Sequence, residues 1–235
     1  MVNIWSLFSQ ISGGGCPLCR QPGDNDNLCP ACLAALPYNR HACPRCALPL
    51  PADAPDTVLC ADCQATAPSF DRALAPLLYR SPVDDLVAGF KYHHHLPRGR
   101  LLAATLAAAV QQQLGRAGLL LPIPMQARRL RERGFNQAGE LARWLSIQLG
   151  IPWAGDRLIK IRDSDQQRAL LRRQRQRNVR GTFACRGNLP AEVALIDDVI
   201  TTGATAEEAS RVLKRAGVVR VEVWAVARTP RNAQT

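Results

Sequence analysis

The sequence predicts an α/β fold: a mostly parallel sheet flanked by helices, with a small cysteine-rich module in front of it. Three observations predict this. Eight of nine cysteines lie between residues 16 and 63, in four Cys-x-x-Cys turns. From about residue 70, short apolar runs alternate with longer amphipathic ones, the succession of strands and helices that builds parallel sheets. The chain has 235 residues, 47% of them apolar, enough for one full domain and a small appendage. The expected division is residues 1–68 for the cysteine module and 69–235 for the α/β domain.

The cysteine turns read CPLC (Cys16, Cys19), CPAC (Cys29, Cys32), CPRC (Cys43, Cys46) and CADC (Cys60, Cys63). Two thiolates in such a turn face one ion, and two turns close a tetrahedral four-thiolate site. Four turns therefore predict two structural Zn2+ ions. A redox Cys-x-x-Cys usually occurs once, beside a βαβ pattern. Disulfides suit secreted chains, and MVNIWSLFSQISGGG lacks the charged start and continuous apolar run of a secretion signal. No stretch of 18 or more apolar residues is present, so membrane insertion is not expected. A cytoplasmic protein is the expectation. Sequential pairing of the turns leaves loops of nine and thirteen residues, and interleaved pairing stays open. The module has little helical pattern and many prolines, and too little core to fold without metal. PADAPDTV, between the third and fourth turns, reads as a loop. Cys185 stands apart and reads as a buried free thiol.

In the second region FDRALAPLLYR (70–80) reads as a strand and SPVDDLVAGFKY (81–92) as a short helix starting near Ser81 or Asp84. HHHLPRG (93–99) reads as a loop. His93, His94 and His95 are adjacent and cannot all face one ion. RLLAATLAAAVQQQLGR is helical by its alanine and leucine content. LLLPIP is a short buried strand closed by prolines. QAGELARWLSIQLG is an amphipathic helix with Leu141, Trp144, Leu145 and Leu149 near one stripe. AEVALIDDVI is a strand. GATAEEASRVLKRAG is a helix carrying Ala209, Val212, Leu213 and Ala216, stopped by Gly217. VVRVEVWAVAR is a final strand with alternating character.

The stretch ALIDDVITTGAT (194–205) carries the most chemistry. Ligands of parallel sheets bind at the carboxyl ends of the strands. Asp197 and Asp198 follow the apolar run Val193 to Ile196, at that end. Paired acids there serve a metal, acid–base chemistry or a diol. The residues that follow select among these: Thr201, Thr202, Gly203, Ala204 and Thr205 lead straight into a helix. Small residues let backbone amides turn inward, and the helix start adds positive potential, which together make an anion cradle suited to a phosphate monoester. Acids beside a phosphate cradle fit a sugar phosphate.

Positive charge supports an anionic partner. The formal net charge is +11. Such an excess favours nucleic acid, phosphorylated metabolites or anionic membrane. PIPMQARRLRERGFNQ (122–137) places Arg128, Arg129, Arg131 and Arg133 between a strand end and a helix. Residues 157–180 hold eight arginines, one lysine and two aspartates. Tyr92, Phe135 and Trp153 are the aromatic residues near basic ones, fewer than single-strand binders usually present.

The stretch ALIDDVITTGAT resembles the 5-phosphoribosyl-1-pyrophosphate signature of type I phosphoribosyltransferases. LLPIPMQARRLRERGFNQAGELA resembles a characteristic segment of the ComF/GntX family of competence and DNA-utilisation proteins. QQRALLRRQRQRNVRGTF resembles that family's third segment through Gln167, Leu170, Arg175, Asn178 and Phe183, and the cysteine head matches too. The resemblance spans nearly the whole chain. It implies a phosphoribosyltransferase-like sheet behind a zinc-ribbon-like module, and binding of phosphoribosyl pyrophosphate with Mg2+. Asp197 and Asp198 would hold the ribose hydroxyls, Thr201 to Thr205 the 5′-phosphate, and Pro124 to Arg129, with Arg128 and Arg129, the pyrophosphate. A mobile loop in the 157–180 region would close over the site. Two functions follow: a phosphoribosyltransferase with an unidentified acceptor, or a catalytically silent adaptor that binds single-stranded DNA or DNA-uptake proteins.

Overall fold

The computed structural model describes residues 15–21, 28–92, 95–162 and 181–231. Its helices are α1 (Pro30–Ala34), α2 (Ala61–Ala65), α3 (Val83–Tyr92), α4 (Leu96–Gln112), α5 (Ala127–Arg133), α6 (Gln137–Leu149) and α7 (Ala204–Arg215). Its strands are β1 (Arg72–Leu74), β2 (Leu77–Leu78), β3 (Leu119–Pro122), β4 (Leu158–Lys160), β5 (Phe183–Cys185), β6 (Glu192–Ile200) and β7 (Arg220–Arg228).

The main sheet runs β1–β7–β6–β3, with β2 also on β7, and every pairing in it is parallel. FDRALAPLLYR is thus two short segments, interrupted at Ala75–Pro76 because proline offers no N–H to the ladder. β4 and β5 form a separate antiparallel pair. β7 is buried along its length, so its alternation does not expose one face. Its one internal acid, Glu222, is fully buried and accepts from Trp224 Nε1 at 2.8 Å while pairing with Arg220 at 2.7 Å. Such pairing is what makes a buried carboxylate tolerable.

One face of the sheet (Leu120, Ala194, Ile196, Trp224) packs on α3, α4 and α6. The other (Leu121, Val193, Leu195, Val223) packs on α7 and the β4–β5 pair. The α6 stripe docks as expected: Leu141, Trp144 and Leu145 are buried and Leu149 packs at its end. The apolar residues buried on α7 are Ala204, Ala206, Ala209 and Leu213, with Val212 partly buried beside them, whereas Ala216 lies past the helix end and is exposed. HHHLPRG is not wholly loop, because α4 starts at Leu96 with Pro97 in its first turn, where the missing N–H costs nothing. His93 and His94 lie outside the described residues.

The cysteine module packs on both layers. Cys16, Leu28 and Leu36 join the α3–α4–α6 layer. Ala47 and Cys46 join the α7 layer, while Cys43, Leu48, Cys60 and Cys63 form a small core of their own. Chain 37–39 lies along the β2 side of the sheet. Leu78 N–H donates to the Pro37 carbonyl and Asn39 N–H to that of Pro76, both at 2.8 Å, and Tyr38 bridges Leu77. Asn39 Nδ2 donates to the carbonyls of Ala47 and Ala75. At the opposite side, Leu120 N–H donates to Pro152 and Ala154 N–H to Leu120.

Candidate functional site

The cysteines settle into two clusters, Cys16–Cys19–Cys29–Cys32 and Cys43–Cys46–Cys60–Cys63, so the turns pair sequentially. Within each cluster the sulfurs lie within 4.8 Å of one another. The Cys19–Cys29 pair is 3.7 Å apart and the Cys46–Cys60 pair 3.5 Å. A tetrahedral zinc–thiolate site, with Zn–S of about 2.3 Å, needs sulfurs about 3.8 Å apart. The donor sets therefore fit structural Zn2+. Contrary to the sparse helical pattern, α1 and α2 each begin right after a cysteine, Cys29 and Cys60. Backbone N–H groups also support sulfur: Cys32 N donates to Cys29 Sγ at 3.5 Å and Cys60 N to Cys43 Sγ at 3.3 Å. Such bonds orient a ligand and stabilise its thiolate.

Thiol electrostatics agree. Burial opposes ionisation of Cys16, but backbone N–H groups of Cys19 and Cys29 outweigh it and draw the thiol down to about 6. Cys43, also buried, is drawn down to about 7 by the N–H groups of Cys60 and Cys46. Neighbouring sulfurs Cys19 and Cys29 push Cys32 up to about 12. Each cluster thus favours one thiolate over its neighbours, and a divalent cation lets all four ionise. Cys185 is half-buried rather than enclosed, and burial raises its thiol.

The acidic pair lies within β6, toward its carboxyl end, as the predicted strand AEVALIDDVI places it. Consecutive strand residues face opposite sides, so the two acids take different partners, although their carboxyls still interact. Asp197 lines a small hollow with Thr201, Gly203, Ala204 and Thr205. Asp198 Oδ2 forms an ion pair with Lys91 Nζ from the last turn of α3. Asp197 Oδ1 accepts from Asp198 N–H at 2.8 Å. Burial, then the neighbouring Asp198, holds the Asp197 carboxyl well above its ordinary range. Burial works against the Lys91 charge, but Asp198 more than offsets it and Lys91 is raised.

The loop turns at Gly203, whose φ of 79° is the left-handed conformation glycine adopts without strain. That turn starts α7, so its first amides lack helical partners and face the loop. Thr202 Oγ1 accepts from Ala204 N–H at 3.4 Å, bracing the turn rather than lining the hollow. Arg128 is exposed and pairs with Glu132 at 2.9 Å, while Arg129 is partly buried on α5. Neither lines the hollow among its described walls.

RGFNQ is a structural joint. Gly134 closes α5 in the left-handed conformation. Asn136 caps α6 by accepting from Ala138 N–H, and its Nδ2 donates to the Ile123 carbonyl at 3.1 Å. Buried Gln137 donates to the Lys91 carbonyl at 3.4 Å and accepts from Arg133. Phe135 packs on Phe90, ring centres 5.5 Å apart, instead of standing free. Tyr92 is 61% exposed with the Arg133 guanidinium 4.7 Å above its ring. Trp153 is partly exposed beside β3. The arginines from Arg168 to Arg180, with Gln167, Leu170 and Asn178, lie outside the described residues. Just after that segment, Gly181 N–H donates to Glu208 on α7 at 2.7 Å.

Three residues not foreseen from sequence complete the arrangement. Lys91 holds Asp198, Gln137 fixes the end of α3, and Arg228 lies under the loop. Arg228 is 5% exposed, and its Nη1 donates to the carbonyls of Ile200 (2.9 Å), Thr201 and Thr229. The sequence signal for Lys91 was only a lysine in the last turn of a short helix, and Arg228 simply ended a strand.

Comparisons with known proteins bear on these features. The double zinc ribbon domain matches residues 9–64. The DNA utilization protein YhgH of Salmonella typhimurium is 32% identical over 92% of this chain and 97% of its own. Competence protein F of Haemophilus influenzae is 33% identical over 72% of this chain and 78% of its own. The crystal structure of TT1426 from Thermus thermophilus covers 58% of this chain and 86% of its own at 19% identity, with a TM-score of 0.34. No described helix is long and apolar enough to cross a membrane.

Proposed function

The chain belongs to the ComF/GntX family of competence and DNA-utilisation proteins, and on that premise we propose that it binds 5-phosphoribosyl-1-pyrophosphate and works in the uptake or use of DNA in the cytoplasm. The observation that carries this reading is Asp197 placed in one hollow with Thr201, Gly203, Ala204 and Thr205. Inward amides at a helix start favour a dianionic 5′-phosphate. The Asp197 carboxyl, in the same hollow, suits a ribose hydroxyl. Asp198, paired with Lys91, supplies negative potential where positive charge develops at C1.

In turnover the bond from C1 to pyrophosphate breaks as the acceptor's lone pair forms the new bond. Mg2+ bound to the pyrophosphate would neutralise the leaving group. Arg128 and Arg129 would meet its oxygens, Arg128 by exchanging its Glu132 partner for phosphate. Residues 1–68 serve as the zinc module and 69–235 as the ligand-binding domain in this reading.

Calorimetry with phosphoribosyl pyrophosphate and Mg2+ tests it. Wild type should bind, and Asp197→Ala/Asp198→Ala should not. No binding by folded, zinc-loaded wild type would sink the proposal. An exposed Tyr92 stacked with Arg133, on a chain of net charge +11, favours a second reading, a silent adaptor for single-stranded DNA. It predicts oligonucleotide binding that weakens steeply with salt and survives the double alanine change.

A further inference from the structure

The buried arginine at the end of β7 contacts two regions far apart in sequence. Its Nη1 reaches the carbonyls of Ile200 and Thr201, where the loop begins. Its Nε donates at 3.2 Å to the carbonyl of Cys46, a ligand of the second cysteine cluster. We infer that Arg228 is a positioning residue that orients the phosphate loop and braces it against the second zinc ribbon, so that loss of zinc from that ribbon slackens the loop.

Peptide geometry gives the reason. In a trans peptide the carbonyl and the next N–H point in opposite directions. Drawing the Ile200 and Thr201 carbonyls onto Arg228 turns the N–H groups of Thr201 and Thr202 away from it. The hollow is walled by the loop itself, including Thr201 and Gly203, and not by Arg228. Thr229 N–H also donates to the Ile200 carbonyl at 3.0 Å, fixing the same peptide. The guanidinium adds fixed positive charge beneath an anion cradle at a low-dielectric position. Cys46 keeps its place only while its sulfur is bound, because a four-thiolate ribbon folds with its metal.

The consequence for ligand rests on the phosphoribosyl reading above; the bracing does not. The full-length, zinc-loaded chain is therefore followed by amide hydrogen exchange and, separately, by calorimetry with phosphoribosyl pyrophosphate and Mg2+. Arg228→Lys keeps a cation but loses the forked guanidinium. It should speed exchange at Thr201 and Thr202 about tenfold and weaken phosphoribosyl pyrophosphate by a similar factor, with two zinc ions retained. Cys63→Ser should speed the same amides by opening the second ribbon, whereas Cys19→Ser in the first ribbon should not. In the Arg228→Lys background Cys63→Ser should add nothing further, since both changes break one connection.

Unchanged loop exchange in both Arg228→Lys and Cys63→Ser would overturn the inference. So would equal responses to the two cysteine changes, or additive effects in the double variant. Should Arg228→Lys fail to fold, the cysteine pair decides alone. If wild type ignores phosphoribosyl pyrophosphate, the ligand reading fails while exchange still decides the bracing.

Discussion

The two zinc ribbons share one motif and are used differently. The first gives Cys16, Leu28 and Leu36 to the layer built on α3, α4 and α6. The second keeps a small core of its own, Cys43, Leu48, Cys60 and Cys63, and touches the α7 layer through Ala47 and Cys46. One ribbon is part of the main core; the other buttresses it from outside. The site lies on the seam between these layers, Lys91 coming from the first and the loop before α7 from the second. An identical metal motif thus has an effect set by what its flanking residues touch.

The largest expected effect tests that asymmetry directly. Cys16→Ser removes a ligand that is fully buried in the main core, and should lower Tm by on the order of 10 °C or more. Cys63→Ser should lower it clearly less, because it opens a satellite cluster. Calorimetry with zinc analysis checks this, and each variant should lose one of two ions. Equal Tm losses would erase the distinction between the ribbons.

Next in size is the contact across the seam. Lys91→Met leaves Asp198 mostly buried without its cation, with a cost of about 2–3 kcal/mol in denaturant unfolding. Adding Asp198→Asn should recover most of it. No recovery would mean that Lys91 stabilises through its stem packing alone.

Asp197 sharpens the seam through pH. Its folded carboxyl is held above the ordinary value of 3.8, so the folded state keeps a proton that the unfolded chain releases. The difference is absent below about pH 3.8, grows as pH rises through the folded value, and then stays constant. Wild-type stability is lost over that window at about 1.4 kcal/mol per unit of elevation. Asp197→Asn avoids that loss and still accepts from Asp198 N–H, so its Tm advantage should increase with pH. A constant Tm difference across pH would refute the raised carboxyl.

The smallest effect lies on exposed α5. Arg128→Ala should change stability by less than about 0.5 kcal/mol, because its pair with Glu132 is solvent-screened. Phosphoribosyl pyrophosphate affinity should nonetheless fall about tenfold. Unaltered affinity would remove Arg128 from the proposed pyrophosphate contacts.

What was legible in the sequence was local. Cys-x-x-Cys spacing is itself ligand geometry, so the eight ligands could be read before any fold was known, whereas which turns pair needed the fold. Asp197, the small loop and α7 are contiguous, so their meeting needed no tertiary information. Arg128 and Arg129 were local too, but α5 continues their chain as a helix and sets them on its surface. Lys91 meets Asp198 only because α3 packs beside β6. Arg228 reaches Cys46 across 182 residues of sequence, a contact no spacing announces. Ala75–Pro76 hid the break between β1 and β2 inside one apolar run.

The outer flanks of β2 and β3 are already occupied by the chain itself. Residues 37–39 bond along β2, and the stretch around Trp153 bonds along β3. Uncovered strand flanks are templates for other chains. A version shortened to begin after the ribbons would bare the β2 flank and the apolar surface under Cys16 and Leu36. It should gather into β-rich aggregates when expressed, while the full chain stays dispersed. The ribbons thus double as a cover for the α/β domain, shielding a strand flank and an apolar face.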